Sequence, residues 1–525
     1  MPATPANNEP NQQENSMNRR QLMSAVSGMI IAASLASGAF AQDSAPVAGG
    51  TLNIGFISDV RTLDPIQSTQ WTERQILFLI FDTLVEIEPD FSLKPGLAKS
   101  WTFSGDGREV VLNLQDGVKF HDGTPFNAEA VKWNLDTRRN PDGNSSQKKQ
   151  LETIADVKAV DDLTVSITMK EPYPPLLALL ADRAGLMVSP ASAEKFGEDI
   201  GSHPVGTGPF TLGQWTRGAR IDLAKNSEFW QQGMPHLDAI TFNDVATNVV
   251  GIQRMSVGEL DFISQLDPLD TRLATASSDI ELVKSASGLW YSLQWKWDTE
   301  PYNNPELRKA VVHGLNRDRL NQIVWEGQGT ISNGVTPDGL WWTPKELATY
   351  DYNPDKARQI LKEAGLEGTK LTLAAPSGDT LRRIAELAKE DLDAVGLKVD
   401  LAPVPQSEYY AKTVSGEVRF TPMRWTQRAD PDGLIQYLFA STGGANSTGY
   451  KSEQVDKWIN EARVSTDQAA RKGLYDQIQR QISVDMPYMP IGFSAEFYAM
   501  RKEAKGFVPM PDEIPRFRYM WKTQE

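Results

Sequence analysis

Polar and apolar residues alternate through Thr51-Leu52-Asn53-Ile54-Gly55-Phe56, the period of a half-buried strand. The period then lengthens: Ile76, Leu77, Leu79, Ile80 and Leu84 lay an apolar stripe along 70–86 and predict a helix there. Strands are predicted at 110–114 and 118–120 around the turn Asp116-Gly117, and Asn127 stands where a helix cap belongs. Segments 157–160 and 163–169 flank Asp161-Asp162 as a hairpin, and Tyr173-Pro174-Pro175 opens an apolar helix reaching Ala181. Strands and turns dominate 187–242, with a tight bend at Gly206-Thr207-Gly208-Pro209-Phe210; a helix at 250–258 and a strand at 260–263 follow. From about Leu289 the texture changes. Helices at 305–315, 317–326, 354–364 and 381–395 alternate with strands at 371–374, 398–401 and 420–425, the rhythm of a parallel α/β lobe. Helices at 455–463 and 468–484 come next, and strands return over 491–498. The pattern predicts two α/β lobes, with the chain crossing between them near Leu289 and again near Phe497.

Length agrees: 525 residues suit about three domains or two large lobes. The formal charge of −15, from 53 basic and 68 acidic residues, argues against a nucleic-acid binder, which needs a basic footprint. With no cysteine there is no disulfide, thiolate metal site or cysteine nucleophile. The four histidines, His121, His203, His236 and His313, form no local ligand pair, so no metal and no cofactor is expected.

The first residues speak of address. Met17-Asn18-Arg19-Arg20, an apolar stretch over 22–35 and Ala39-Phe40-Ala41 are the parts of a secretory signal peptide, with cleavage after Ala41. Arg19-Arg20-Gln21-Leu22-Met23 also resembles a twin-arginine signal, which leaves the export route open, and Met17 is an alternative start. The apolar stretch is broken by Ser24, Ser27, Gly28 and Ser34, no later run of 18 apolar residues occurs, and no cysteine offers a lipid site. A soluble periplasmic protein is expected.

Several collinear motifs carry a family resemblance. Leu93-Lys94-Pro95-Gly96-Leu97-Ala98-Lys99-Ser100-Trp101, Asp106-Gly107, and the run from Leu112 through Gly117-Val118-Lys119-Phe120-His121-Asp122-Gly123-Thr124-Pro125-Phe126 to Ala128 come first. Pro204-Val205-Gly206-Thr207-Gly208-Pro209-Phe210, Pro305-Glu306-Leu307-Arg308-Lys309-Ala310, Leu315-Asn316-Arg317, Pro354-Asp355-Lys356-Ala357-Arg358 and Asp430-Pro431-Asp432 follow. Together they resemble the family 5 extracellular solute-binding proteins, which serve ATP-driven importers of peptides, nickel and opines. The resemblance implies an α/β, two-lobed periplasmic binding protein (Venus-flytrap) fold with an extra subdomain in the first lobe. It implies a small-molecule ligand held between the lobes and a partner permease of an ATP-binding-cassette importer; a monomer is expected. Mapped onto the chain, 42–66, 186–288 and 497–525 form the first lobe's core, 67–185 its extra subdomain, and 289–496 the second lobe, after a leader at 1–41.

For the signature residues themselves a structural reading is preferred. Asp116-Gly117 and Asp122-Gly123 are turn chemistry, His121 between them reads as a turn or core histidine, and Asp430-Pro431-Asp432 reads as a helix start. Trp425-Thr426-Gln427-Arg428 differs, because it ends a strand of an α/β lobe, where ligand crevices open. In peptide-binding relatives an acid between that tryptophan and Asp-Pro-Asp accepts the ligand's ammonium; here 426–429 holds no acid and one arginine. Arg428 in a pocket would be repelled by an ammonium and would suit a carboxylate or phosphate, so a ligand anionic at that end is expected, an opine or an acidic conjugate among the choices. The candidate ligand-binding set is Trp425, Arg428, Gln427, Trp71, Arg74 and Trp295, with Thr72, Trp290, Tyr291, Arg424, Tyr409 and Tyr410 behind them; core packing competes for each aromatic. No catalytic residue is expected. Ser192-Ala193-Glu194-Lys195 lacks the partners of an S-x-x-K enzyme, and no nucleophile elbow, H-E-x-x-H or P-loop occurs. A secreted hydrolase of small polar substrates is the alternative function, and a chaperone or receptor partner a third.

Overall fold

Nine strands form the largest sheet among the described residues. Its order is Phe420–Thr426, Ile280–Trp295, Tyr488–Arg501, Phe262–Ile263, Thr51–Phe56, Ala239–Asp244, Arg220–Lys225 and Phe210–Thr216, with Thr330–Ile331 also paired to Tyr488–Arg501. The computed structural model describes residues 45–56, 60–376 and 379–523, and the expected signal peptide lies outside the described residues. Val47–Glu525 forms one compact unit. Thr51–Phe56 runs parallel to both of its neighbours and buries Leu52 and Ile54, as its alternation predicts.

Ile280–Trp295 and Tyr488–Arg501 are the long members. They pair antiparallel from Ile280 opposite Arg501 to Gln294 opposite Tyr488, with irregularities between Ala286 and Trp290 and between Tyr291 and Ser292. Irregular pairing of this kind bends and twists a ribbon. One half of the pair therefore serves the end built on Thr51–Phe56, and the other half pairs with Phe420–Thr426, Leu289 opposite Thr426.

A second sheet, Ala98–Phe103, Glu109–Leu114, Thr164–Met169 and Ile154–Asp161, is antiparallel throughout and is backed by the helix Ala128–Arg139. Asn127 caps that helix, its Oδ1 accepting from the Ala130 amide at 3.0 Å. The hydrophobic core of this sheet is continuous with that of residues 290–493. Phe91 stacks on Trp342 with centroids 5.9 Å apart, and the Tyr173 hydroxyl donates to Asp432 Oδ2 at 3.3 Å.

Three expectations are corrected. The helix predicted over 70–86 is Trp71–Ile80: Phe81 turns extended, and Val85–Ile87 pairs with Leu93–Pro95 as a hairpin. Both arrangements bury the same apolar residues, so periodicity alone overruns the boundary. Segment 118–120 makes only a bridge, Lys119 to Pro125. The α/β segment after Leu289 is not uniformly parallel: Lys370–Pro376 and Lys398–Val404 pair in parallel, whereas Phe420–Thr426 joins Ile280–Trp295 antiparallel. That last pairing is a long-range contact with no local signature.

Candidate functional site

The first helix starts on a buried carboxylate. Glu73 Oε2 accepts from Ser68 Oγ at 2.8 Å and from the amides of Thr69 and Gln70 at 3.2 and 3.0 Å, which satisfies otherwise orphan donors. Its other end is tied to the C-terminal segment, where Arg518 Nη2 meets Asp82 Oδ1 at 2.6 Å and donates to the Phe78 carbonyl at 3.0 Å. Held at both ends, the helix presents Arg74. Its Nη2 lies 3.0 Å from Asp182 Oδ1 and 3.5 Å from Asp512 Oδ2. Asp512 is shared with Arg516 at 2.6 Å, and Arg516 also lies over the Phe78 ring at 4.2 Å.

Arg183 follows Asp182 and donates to the Gln70 carbonyl at 2.9 Å. Arg428 approaches from the far side of the sequence, after the strand Phe420–Thr426, with its aliphatic stem against Gly433; a Cβ there would come 2.9 Å from Arg428 Cγ. Arg428 is exposed to solvent, with Arg74 and Asp182 close enough to act on it. Among the described residues it makes no ion pair at salt-bridge distance; it feels Arg74, Asp182, Tyr437 and Tyr410 through space. Three guanidiniums thus lie around Asp182, and Arg74 among them also reaches Asp512.

The electrostatics follow. Loss of water and the neighbouring Arg74 lower the pKa of Arg428. The same two causes bring Arg183 down to about 10. Asp182 is held below the usual carboxylate range: burial pushes it up, but Arg74, Arg183 and Arg428 together outweigh that. The Nε atoms of Arg74 and Arg183 are buried without partners. A carboxylate entering here would meet donors already in place and relieve repulsion among cations.

Aromatic side chains wall the Arg428 side. Trp425 packs edge-on against Tyr410 and Tyr437, centroids 5.9 and 6.1 Å away, and the two tyrosine hydroxyls are 3.2 Å apart at the surface. Next to Arg516 a cavity of about 240 Å³ opens among Phe78, Phe81, Ile87, Ala181 and Met510, large enough for a small side chain.

The chain matches the family described as bacterial extracellular solute-binding proteins, family 5 Middle, over residues 92–446. It belongs to that family. It is 32% identical over 496 residues to the glutathione-binding protein GsiB of Shigella dysenteriae serotype 1, covering 92% of this chain and 95% of that one. In structure it is similar to the periplasmic binding protein DppA of Helicobacter pylori in complex with the peptide STSA, at 25% identity and TM-score 0.76, covering 91% and 99% of the two chains. It is also similar to the binding protein AgaA of A. tumefaciens R10 in complex with agropinic acid, at 25% identity and TM-score 0.74, again covering 91% and 99%. The fold is therefore that of the two-lobed periplasmic binding proteins, and the chain is a solute-binding protein; the relatives lend the hydrolase alternative no support.

Within this family-5 chain the sequence candidates separate. Arg74 and Arg428 come together around Asp182. Trp71 sits half-buried at the start of the first helix with its indole nitrogen buried and unpartnered, and Thr72 beside it is buried. Trp425 is 7% exposed and touches Tyr410 and Tyr437. Two candidates are corrected. Gln427 is buried because its side chain points back into the fold, donating to the Val335 carbonyl at 2.6 Å. Trp295 is a core residue, its indole donating to the Met486 carbonyl at 2.9 Å and its ring beside Phe420. Tyr409 and Trp290 are buried as well. Tyr291 is buried with its hydroxyl on Arg424 and Ser494.

His121 fits its turn reading, with Nε2 2.9 Å from the Gly208 carbonyl. Asp430 accepts from the Asp432 amide at 2.9 Å, in keeping with a helix start, and also forms a buried two-bond pair with Arg471, 2.7 Å to each oxygen. Sequence reasoning missed Asp182, Arg183, Asp512, Arg516 and Tyr437. The available signal was weak: Met510-Pro511-Asp512-Glu513-Ile514-Pro515-Arg516 concentrates charge in a proline-rich stretch that no helix can solvate.

Proposed function

We propose that this protein captures a small peptide-like or opine-like solute bearing a carboxylate, between its two lobes, and hands it to the permease of an ATP-binding-cassette importer. Residues 289–496 form the second lobe in this reading, and the mature chain is a periplasmic monomer starting near Gln42. The observation that carries the reading is Arg428, accessible and without an ion pair, facing Arg74 and Arg183 with Asp182 as the shared counter-charge. An ammonium placed there would add a further positive charge beside three guanidiniums, which repel it. A carboxylate would form a charge-assisted, two-pronged pair.

The relatives support this choice of chemistry. GsiB is named for glutathione, which carries two carboxylates, and AgaA holds agropinic acid. Closure would bring ligand contacts from both lobes together, so ligand shifts the population toward the closed state. Mass spectrometry of solutes released from the purified protein, followed by calorimetry with the compounds found, tests the assignment. Acidic solutes are expected. Recovery and tight binding of purely cationic or neutral solutes would overturn it.

A further inference from the structure

The cavity of about 240 Å³ beside Arg516 lies between the first helix, the hairpin Val85–Ile87 with Leu93–Pro95, and the C-terminal segment. Phe78, Phe81, Ile87, Ala181 and Met510 give it an apolar wall. Val508 lines it as well and is 49% exposed, so the wall reaches the surface. An apolar cavity of about 150 Å³ is enough to accept benzene. There is room here for an occupant of that size.

The charges around the wall are already engaged. Glu86 takes Arg518 at 3.3 Å, Lys94 at 3.6 Å and the Tyr519 hydroxyl at 3.0 Å. Glu88 takes the same Lys94 at 3.2 Å, Arg518 also meets Asp82 at 2.6 Å, and Arg516 meets Asp512 at 2.6 Å. Each charged side chain of the wall therefore has its counter-charge within the fold. A charged group entering would give up its water and find those partners occupied, whereas an apolar group gains by leaving water.

Position ties the cavity to the guanidinium cluster. The Phe78 ring on its wall has Arg74 at 5.9 Å and Arg516 at 4.2 Å from its centroid, and Asp512 reaches both of them, at 3.5 and 2.6 Å. Ala181 lines the cavity, and the next residue, Asp182, takes Arg74 at 3.0 Å. Wall and cluster thus share residues at two points.

We propose that this cavity receives an uncharged apolar side chain of the bound solute, up to the size of a phenyl ring. This deepens the proposed function and rests on it only for the carboxylate that meets the guanidiniums. A solute with its carboxylate and an apolar side chain close together reaches both places. Arg74 and Arg428 then select the charge, and the cavity selects the side chain, as an apolar pocket with a few placed polar groups does.

Carbon-13 methyl spectra of methionine-labelled protein read the cavity directly, with the Met510 signal assigned through Met510→Leu. Toluene, which carries no carboxylate, should shift that signal saturably; an unmoved signal would overturn the proposal. N-acetyl-L-phenylalanine should shift it too, and should bind at least about tenfold more tightly than N-acetylglycine or N-acetyl-L-lysine. Equal affinities, or a Met510 signal that N-acetyl-L-phenylalanine leaves in place, would overturn the proposal as well. Ala181→Leu narrows the cavity and should erase most of the preference for the ring; a preference unchanged in that variant would place the ring elsewhere. If the ring behaves as expected while N-acetyl-L-phenylalaninamide binds as tightly as the acid, the pocket stands and only the carboxylate reading fails.

Discussion

Arg428 and Asp430 are two residues apart and live in opposite electrostatic worlds. Asp430 is buried and doubly bonded to Arg471, and Asp82 is likewise matched by Arg518 with 1% and 7% of their side chains exposed. Each charge there has its counterpart, and the pairs lock long-range segments together. Around Asp182 gather Arg74, Arg183 and Arg428, and Arg428 makes no ion pair among the described residues. Charges that hold the fold are neutralised within it. Arg428, accessible and without an ion pair among the described residues, stands apart from them within one short motif.

The largest expected effect breaks the matched side. Asp430→Ala leaves a buried guanidinium without its carboxylate and should lower unfolding free energy by about 3–5 kcal/mol in denaturant titrations. Arg428→Ala should do the reverse, costing less than about 0.5 kcal/mol of stability while weakening the binding of an acidic solute by about 2–5 kcal/mol in calorimetry. Preserved affinity in that variant would erase the contrast.

Two aspartates sharpen the comparison through pH. Asp182 has a folded pKa below its unfolded value, so its contribution is present above the ordinary carboxylate range and is lost as pH falls through and below it. Asp432 runs the other way. Burial, helped by Asp430 and opposed by Arg463, pushes it up to about 6, so the folded state loses stability as pH rises from about 4 through 6. Thermal melts across that window should show the Asp432 slope, and Asp432→Asn should flatten it. Smallest of all, Tyr410→Phe removes one exposed hydroxyl contact to Tyr437 and should change stability by less than about 0.5 kcal/mol.

Much of this was legible in the chain. Alternation in Thr51–Phe56 and the Asn127 cap are local signals that appear in the structure, and Asp430-Pro431 leads directly into the helix Asp432–Phe439. Arg428 stood out because its segment lacks an acid. Asp182 and Asp512 did not, since they meet Arg74 only through contacts between segments far apart in the chain. Trp295 and Gln427 show the complementary failure. A residue in or just after a strand can face either side of the sheet, and its register against the neighbouring strand, not residue type, decides which.

The most direct measurement compares glutathione with its glycyl ethyl ester, and likewise its γ-glutamyl α-ester, on wild type and Arg428→Ala by calorimetry. Masking the carboxylate that meets the guanidinium cluster should weaken wild-type binding at least tenfold, and Arg428→Ala should bind that ester and the free acid alike. Free acid and both esters binding equally to the wild type would contradict a carboxylate at Arg428.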